Sequence, residues 1–167
     1  MKRVIAILAL SALASCGDDF AQTTIPVPLE MAFSSNQCQR AEQGVSIFSS
    51  QNVWEEWVLN QSTQLSMEDP RDISSAEIYP VDSASSIMLI SMGQRSSGGF
   101  SVGILDSEAT LTGNNLTLRV AWHTPAEDSF QAQIMTSPCI AFRLERLDLG
   151  KIAILNDGGE VIFEQKI

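Results

Sequence analysis

The chain has 167 residues, 44% of them hydrophobic and 18% charged, with 20 acidic against 10 basic side chains. That length suits a single domain with a real core, and the composition excludes bulk disorder. The net charge of −10 repels phosphate backbones and anionic lipid headgroups, which argues against nucleic acid as a partner.

The first fifteen residues differ in kind from the rest. Lys2-Arg3 forms a positive start, and Val4 to Leu13 is a short apolar run. Such a run suits a signal peptide, because a spanning helix needs about 20 residues. Leu13-Ala14-Ser15-Cys16 resembles a bacterial lipobox. That resemblance implies cleavage before Cys16 and palmitate-type acylation of the new N-terminal cysteine; the alternative is an ordinary secretory signal with an incidental cysteine. Several acyl chains, at about 0.8 kcal/mol per buried CH₂, would hold the protein durably on a membrane. In Gram-negative lipoproteins an aspartate after the cysteine resembles an inner-membrane retention signal. Gly17 stands there, so the outer membrane is the default expectation. Loss of Lys2 and Arg3 leaves 8 basic against 20 acidic residues, a net charge of −12, read as a solvated acidic surface.

Residues 16–30 carry Asp18-Asp19, Thr23-Thr24, Pro26 and Pro28 and read as an extended tether. The globular domain is expected over 31–167. Val45 to Phe48 is strand-like, and Ser49 or Ser50 is placed to cap a helix. Trp54, Trp57 and Val58 follow at i, i+3 and i+4, the spacing of one helix face, with Glu55 and Glu56 in the early turns. These tryptophans read first as packing residues. Ser62 to Ser85 is a long polar connection. Its Glu68, Asp69 and Asp72 lack the alternating spacing and glycine of a calcium loop and read as solvated charge.

Ile87 to Ile90 is apolar on both faces, the mark of a covered central strand. Phe100, Val102 and Ile104 then alternate with Ser101 and Gly103. Leu116, Leu118, Val120 and Trp122 alternate with Thr117, Arg119, Ala121 and His123. Gly113-Asn114-Asn115 predicts a hairpin turn between these two runs. Cys139 to Leu147 alternates again, and Lys151–Leu155 and Val161–Phe163 flank the turn Asn156 to Gly159. The pattern predicts an α+β fold: a mainly antiparallel sheet of six or more strands, with one amphipathic helix packed on it.

Few residues offer chemistry. With Cys16 assigned to lipid, Cys38 and Cys139 are an even pair in an exported chain, and a disulfide between them is expected; the alternative is two free thiols. His123 is the one histidine, too few to build a zinc site with the thiols bridged. No metal or cofactor is expected. A hydrolase using His123 with a nearby serine is the enzymatic alternative, although no Gly-x-Ser-x-Gly elbow occurs. A carrier using Trp54, Trp57 and Trp122 is another. The glycines from Gly93 to Gly99 lack the lysine and following helix of a phosphate loop.

Gly93-Gln94-Arg95-Ser96-Ser97-Gly98-Gly99-Phe100 resembles the Gly-x-Arg/Lys-x-Ser/Thr-Gly-Gly-Tyr/Phe signature of the PrcB-like family. The likeness continues through the strand Phe100–Leu105, the strand Leu116–Trp122 leading to Pro125, and Ser137-Pro138 before the strand from Cys139, about residues 86–147. Ser96 stands where proline is common in the family, and Phe100 where tyrosine is common. The resemblance implies a non-catalytic accessory subunit that binds or stabilises a protein partner, a surface protease in the type case. The expectation is therefore a lipid-anchored envelope protein that presents Gly93, Arg95, Ser97, Gly98, Gly99 and Phe100 to a partner. Arg95 serves either as the polar anchor or as solvation for the turn, and an open sheet edge is a further docking element.

Overall fold

The computed structural model describes residues 23–65, 79–126 and 128–167. The proposed signal peptide, Cys16, Glu68, Asp69 and Asp72 lie outside them. Among the described residues, ten strands and one helix run in the order β1 (Thr24–Pro28), β2 (Glu30–Ser35), β3 (Gln43–Phe48), α1 (Gln51–Leu65), β4 (Ser85–Met92), β5 (Ser101–Ile104), β6 (Glu108–Thr112), β7 (Asn115–His123), β8 (Cys139–Glu145), β9 (Lys151–Leu155) and β10 (Val161–Lys166).

The expected α+β character holds coarsely, since most of the fold is strand with a single helix. The expectation of one sheet is corrected: there are two. One runs β1-β6-β7-β9-β10, with β5 also paired to β7, and the other runs β2-β8-β4-β3. The three runs from Ser86 to His123 are thus divided, β4 in one sheet and β5 and β7 in the other. The pairings are antiparallel except β7 with β9, which is parallel. Alternation says which residues face inward but not which sheet a strand joins, and this is the physical reason for the difference.

The alternation itself is used twice. Met88, Ile90, Ile140 and Phe142 from β4 and β8 meet Leu116, Leu118, Ile152 and Ile154 from β7 and β9 in the core between the sheets. The opposite faces of β4 and β8 present Ile87, Leu89 and Ala141 to Trp54 and Val58 of α1. Three layers result, and the four-stranded sheet is covered on both sides. Trp54 stacks on Trp57 at 5.3 Å, and Phe33 meets Trp57 edge-on at 5.3 Å. The Ser50 carbonyl accepts the Trp54 N–H at 3.1 Å, which places Ser50 at the N-cap position. Glu55 and Glu56 fall beyond the first turn.

Part of the stretch read as a tether is a strand. Thr24–Pro28 pairs with β6, and Val27 is fully buried. Prolines are tolerated on an edge strand because the missing N–H can face solvent, so Pro26 and Pro28 mark an edge where the sequence suggested a linker. The chain then crosses to the second sheet at Leu29, whose N–H donates to the Ser107 carbonyl at 2.8 Å. β6, unanticipated, joins β7 through Gly113-Asn114 and then yields β7 to β5, so both strands lie along the same side of β7.

Candidate functional site

The ends of six strands meet at one pole of the molecule. β2, β4 and β7 finish there, and β3, β5 and β8 begin there, as the registers Ser35↔Cys139, Gln43↔Met92, Ser91↔Cys139 and Ser101↔His123 require. Thr24 lies at the other pole, opposite Thr112. The turn Gly93–Phe100 leaves β4 at the first pole and enters β5.

Its conformation is dictated by what surrounds it. Gly93 has φ 75°, and a Cβ there would lie 2.6 Å from the Gln43 backbone nitrogen. No side chain fits such a position, in conformation or in space. Gly99 has φ 90°, with the Gln131 side chain against it. Gly98 is different, because a Cβ there meets nothing nearer than 3.7 Å.

Arg95 and Thr136 exchange both backbone hydrogen bonds, at 2.7 and 2.9 Å. The Gly98 N–H donates to the Ala132 carbonyl at 2.8 Å, and the Thr136 hydroxyl donates to the Ser97 carbonyl at 3.1 Å. The segment 131–138 is therefore a strap holding the turn from one side. On the other, the Gln94 N–H donates to the Ala41 carbonyl at 3.1 Å. Ser137 ties strap to loop, because its hydroxyl donates to the Arg40 carbonyl and accepts the Arg40 N–H, each at 2.9 Å.

The disulfide between Cys38 and Cys139 is present, with Cα atoms 5.9 Å apart across 101 residues. Both cysteines are buried. The bridge fastens the 36–41 loop to the start of β8, immediately behind the turn.

Arg95, read from the sequence as a polar anchor or as solvation for the turn, is half-buried and bonded within the site. Its Nη2 donates to the Met92 carbonyl at 2.6 Å and to Gln43 Oε1 at 3.2 Å, while the guanidinium stands 5.4 Å from the centre of the Phe100 ring. One cation thus joins the start of the turn to its end. Gln94, Ser96 and Gly99 form the exposed rim, with Ser97 half-buried. Beside them Phe130, Ile134 and Met135 are exposed. A cavity of about 250 Å³ opens between loop and strap, lined by Gln37, Arg40, Gln94, Met135, Thr136 and Ser137. No acidic residue occurs in 33–41, 93–105 or 129–141, and the nearest carboxylates in sequence are Glu42, whose backbone adjoins Gly93, Asp106 and Asp128.

The other candidates are not brought together. His123 is exposed at the end of β7, opposite Ser101 in the ladder, and among the described residues no side-chain hydrogen bond links its imidazole to a serine. Trp54 and Trp57 belong to the helix layer, whereas Trp122 packs in the inter-sheet core, 6.1 Å from Phe163. A sheet stands between the two groups, so they form no common cleft. The strap residues Thr136 and Ser137 and the loop residue Gln43 are contributors that sequence reasoning missed. The signal for Ser137 was its place before Pro138 and β8; Thr136 and Gln43 carried none.

The sequence model of the family described as PrcB C-terminal matches residues 86–145, so the chain carries a PrcB-like C-terminal domain running from β4 through β8. No curated protein and no solved structure matches the chain.

Proposed function

We propose that this protein is a non-catalytic, lipid-anchored accessory subunit of the bacterial cell envelope, acylated at Cys16 and stabilising a protein partner, with a protease complex as the leading case. The observation that carries the reading is the family match over 86–145, whose signature turn is prebuilt and offers an uncharged rim. Partner surfaces of this kind are depleted of charge and carry exposed apolar anchors, as Ile134 and Met135 do here. Arg95 acts from behind, holding the shape of the turn. The default site of residence is the outer membrane, with the pole of Gly93–Phe100 turned away from the anchored end.

A photo-crosslinking residue at Ser96 tests the contact in intact envelopes, with the same residue at Asn114, on the opposite pole, as control. One discrete adduct from Ser96 and none from Asn114 is expected. Equal labelling from both positions would refute a partner seated on the turn. For the anchor, Cys16→Ala should move the protein from the membrane fraction to the soluble one.

A further inference from the structure

A sheet edge is a row of unpaired backbone donors and acceptors, and folded proteins blunt such edges unless something is meant to pair with them. The edges of this fold can be taken one at a time. β1 carries Pro26 and Pro28, which have no N–H to offer. β2 has a register break between Met31 and Phe33 and begins with the charged Glu30. β3 and β10 face each other, and the Gln165 amide bonds both the N–H and the carbonyl of Val45 across the gap. β10 also carries Glu164 and Lys166 and a register break of its own.

β5 has none of these devices. Among the described residues it pairs with β7 alone, its sequence Ser-Val-Gly-Ile contains no proline and no charge, and its register with β7 is unbroken. Among the described residues no strand pairs with its outer side, and the reason is topological. β1 runs antiparallel beside β6 as far as Pro28 and would next lie beside β5. At Leu29 it leaves for the other sheet instead, and Glu30 pairs with Arg143 in β8. Among the described residues one strand's worth of ladder is therefore unfilled beside β5, directly after the family turn. Ile104 and Leu105 stand exposed at its end.

We infer that β5 is the site of strand addition: an extended, uncharged segment of a partner protein occupies the continuation of β1, antiparallel to β5, with its backbone bonding Ser101–Ile104 and an apolar side chain over Ile104 and Leu105. An unpaired backbone row selects for an extended polypeptide, and an uncharged edge selects against flanking charge. The inference rests on the proposed role as a partner-binding subunit and specifies the contact.

The test uses the full chain in detergent and a displayed library of random decapeptides as the probe. Peptides selected on the wild type should alternate apolar and polar residues and slow amide hydrogen exchange within Ser101–Ile104. Ile104→Lys, an exposed change that charges the edge, should weaken them at least tenfold while Ile104→Val leaves them bound. Far-UV circular dichroism and melting of both variants check that the fold is intact. Failure to select any peptide, protection confined to other strands, or retained binding by Ile104→Lys overturns the inference. A Ser96 crosslink without peptide binding at β5 would leave the accessory role standing and remove the edge. Peptide binding at β5 without any envelope adduct would do the reverse.

Discussion

Gln165 completes the sandwich by imitating a strand. Its side-chain Oε1 accepts the Val45 N–H at 2.7 Å, and its Nε2 donates to the Val45 carbonyl at 2.8 Å. A single amide thereby satisfies two edge groups of β3 from the neighbouring sheet. Gln165→Leu keeps the bulk and removes both bonds, and should lower stability by about 1–3 kcal/mol. Urea denaturation measures this, and an unchanged midpoint would show the clasp to be incidental. With the β3 edge opened, self-association at high concentration should also rise in analytical ultracentrifugation.

The Cys38–Cys139 bridge closes a long loop in a chain with a modest core. Replacing both with serine should cost about 4–5 kcal/mol in the chain-entropy account. The native, unreduced protein should show neither thiol to a thiol reagent, and both should appear after denaturation with reductant. Two thiols titrating without reductant would refute the bridge.

The glycines of the turn should separate by environment. Gly93→Ala forces a Cβ to 2.6 Å from backbone at φ 75°, and should cost several kcal/mol, about 3 or more. Gly113 has φ 61° but open space around it, so Gly113→Ala should cost about 1 kcal/mol. Gly98→Ala should be nearly silent in stability, because its Cβ would meet only ordinary contacts. Equal losses at Gly93 and Gly98 would contradict this assignment. If Gly98→Ala also abolished the Ser96 crosslink, that glycine would be kept for the partner.

Asp106 and Arg119 form a two-point ion pair, at 2.7 and 2.9 Å, between the segment joining β5 to β6 and the outer face of β7. The hydrogen bond from Arg119 holds the Asp106 carboxyl below its ordinary range. An unfolded aspartate titrates near pH 3.9. A depressed folded pKa contributes stability above that value and loses it as pH falls through the folded pKa. Asp106→Asn should therefore melt below wild type at pH 6, with the two curves converging as the pH drops below about 4. The gap should shrink with added salt, because both side chains are substantially exposed. A gap independent of pH would exclude the pair as its origin.

Much of the core was legible because alternation is a local property. Ile87–Ile90 announced a strand covered on both faces, and Leu116, Leu118 and Val120 announced the inner face of β7; each is buried as expected. The disulfide was legible from the even pair of cysteines left when Cys16 is set aside in a chain read as exported. β1 was not, because Pro26 and Pro28 are as much at home in a linker as on an edge. β6 was missed because its inward positions are one small residue, Ala109, and the half-buried Leu111. The division into two sheets and the parallel pairing of β7 with β9 are long-range choices that no window of sequence contains. At the turn, the glycines were legible as turn residues. The side-chain bonding of Arg95 was not, since Gln43 lies about 50 residues away and the nearby Met92 carbonyl is a backbone acceptor that every residue carries.

The placement of the disulfide has a mechanical meaning. A pull on the N-terminal end would peel β1 from β6 and then β2 from β8, one ladder bond after another. At Cys38 the peeling stops, because the next link is covalent and leads to Cys139 at the head of β8. The load then passes into β8 and bypasses the hundred residues between, the turn Gly93–Phe100 among them. Under the proposed N-terminal anchoring, the cross-link would act as a stop that keeps a pull from unravelling the chain past Cys38.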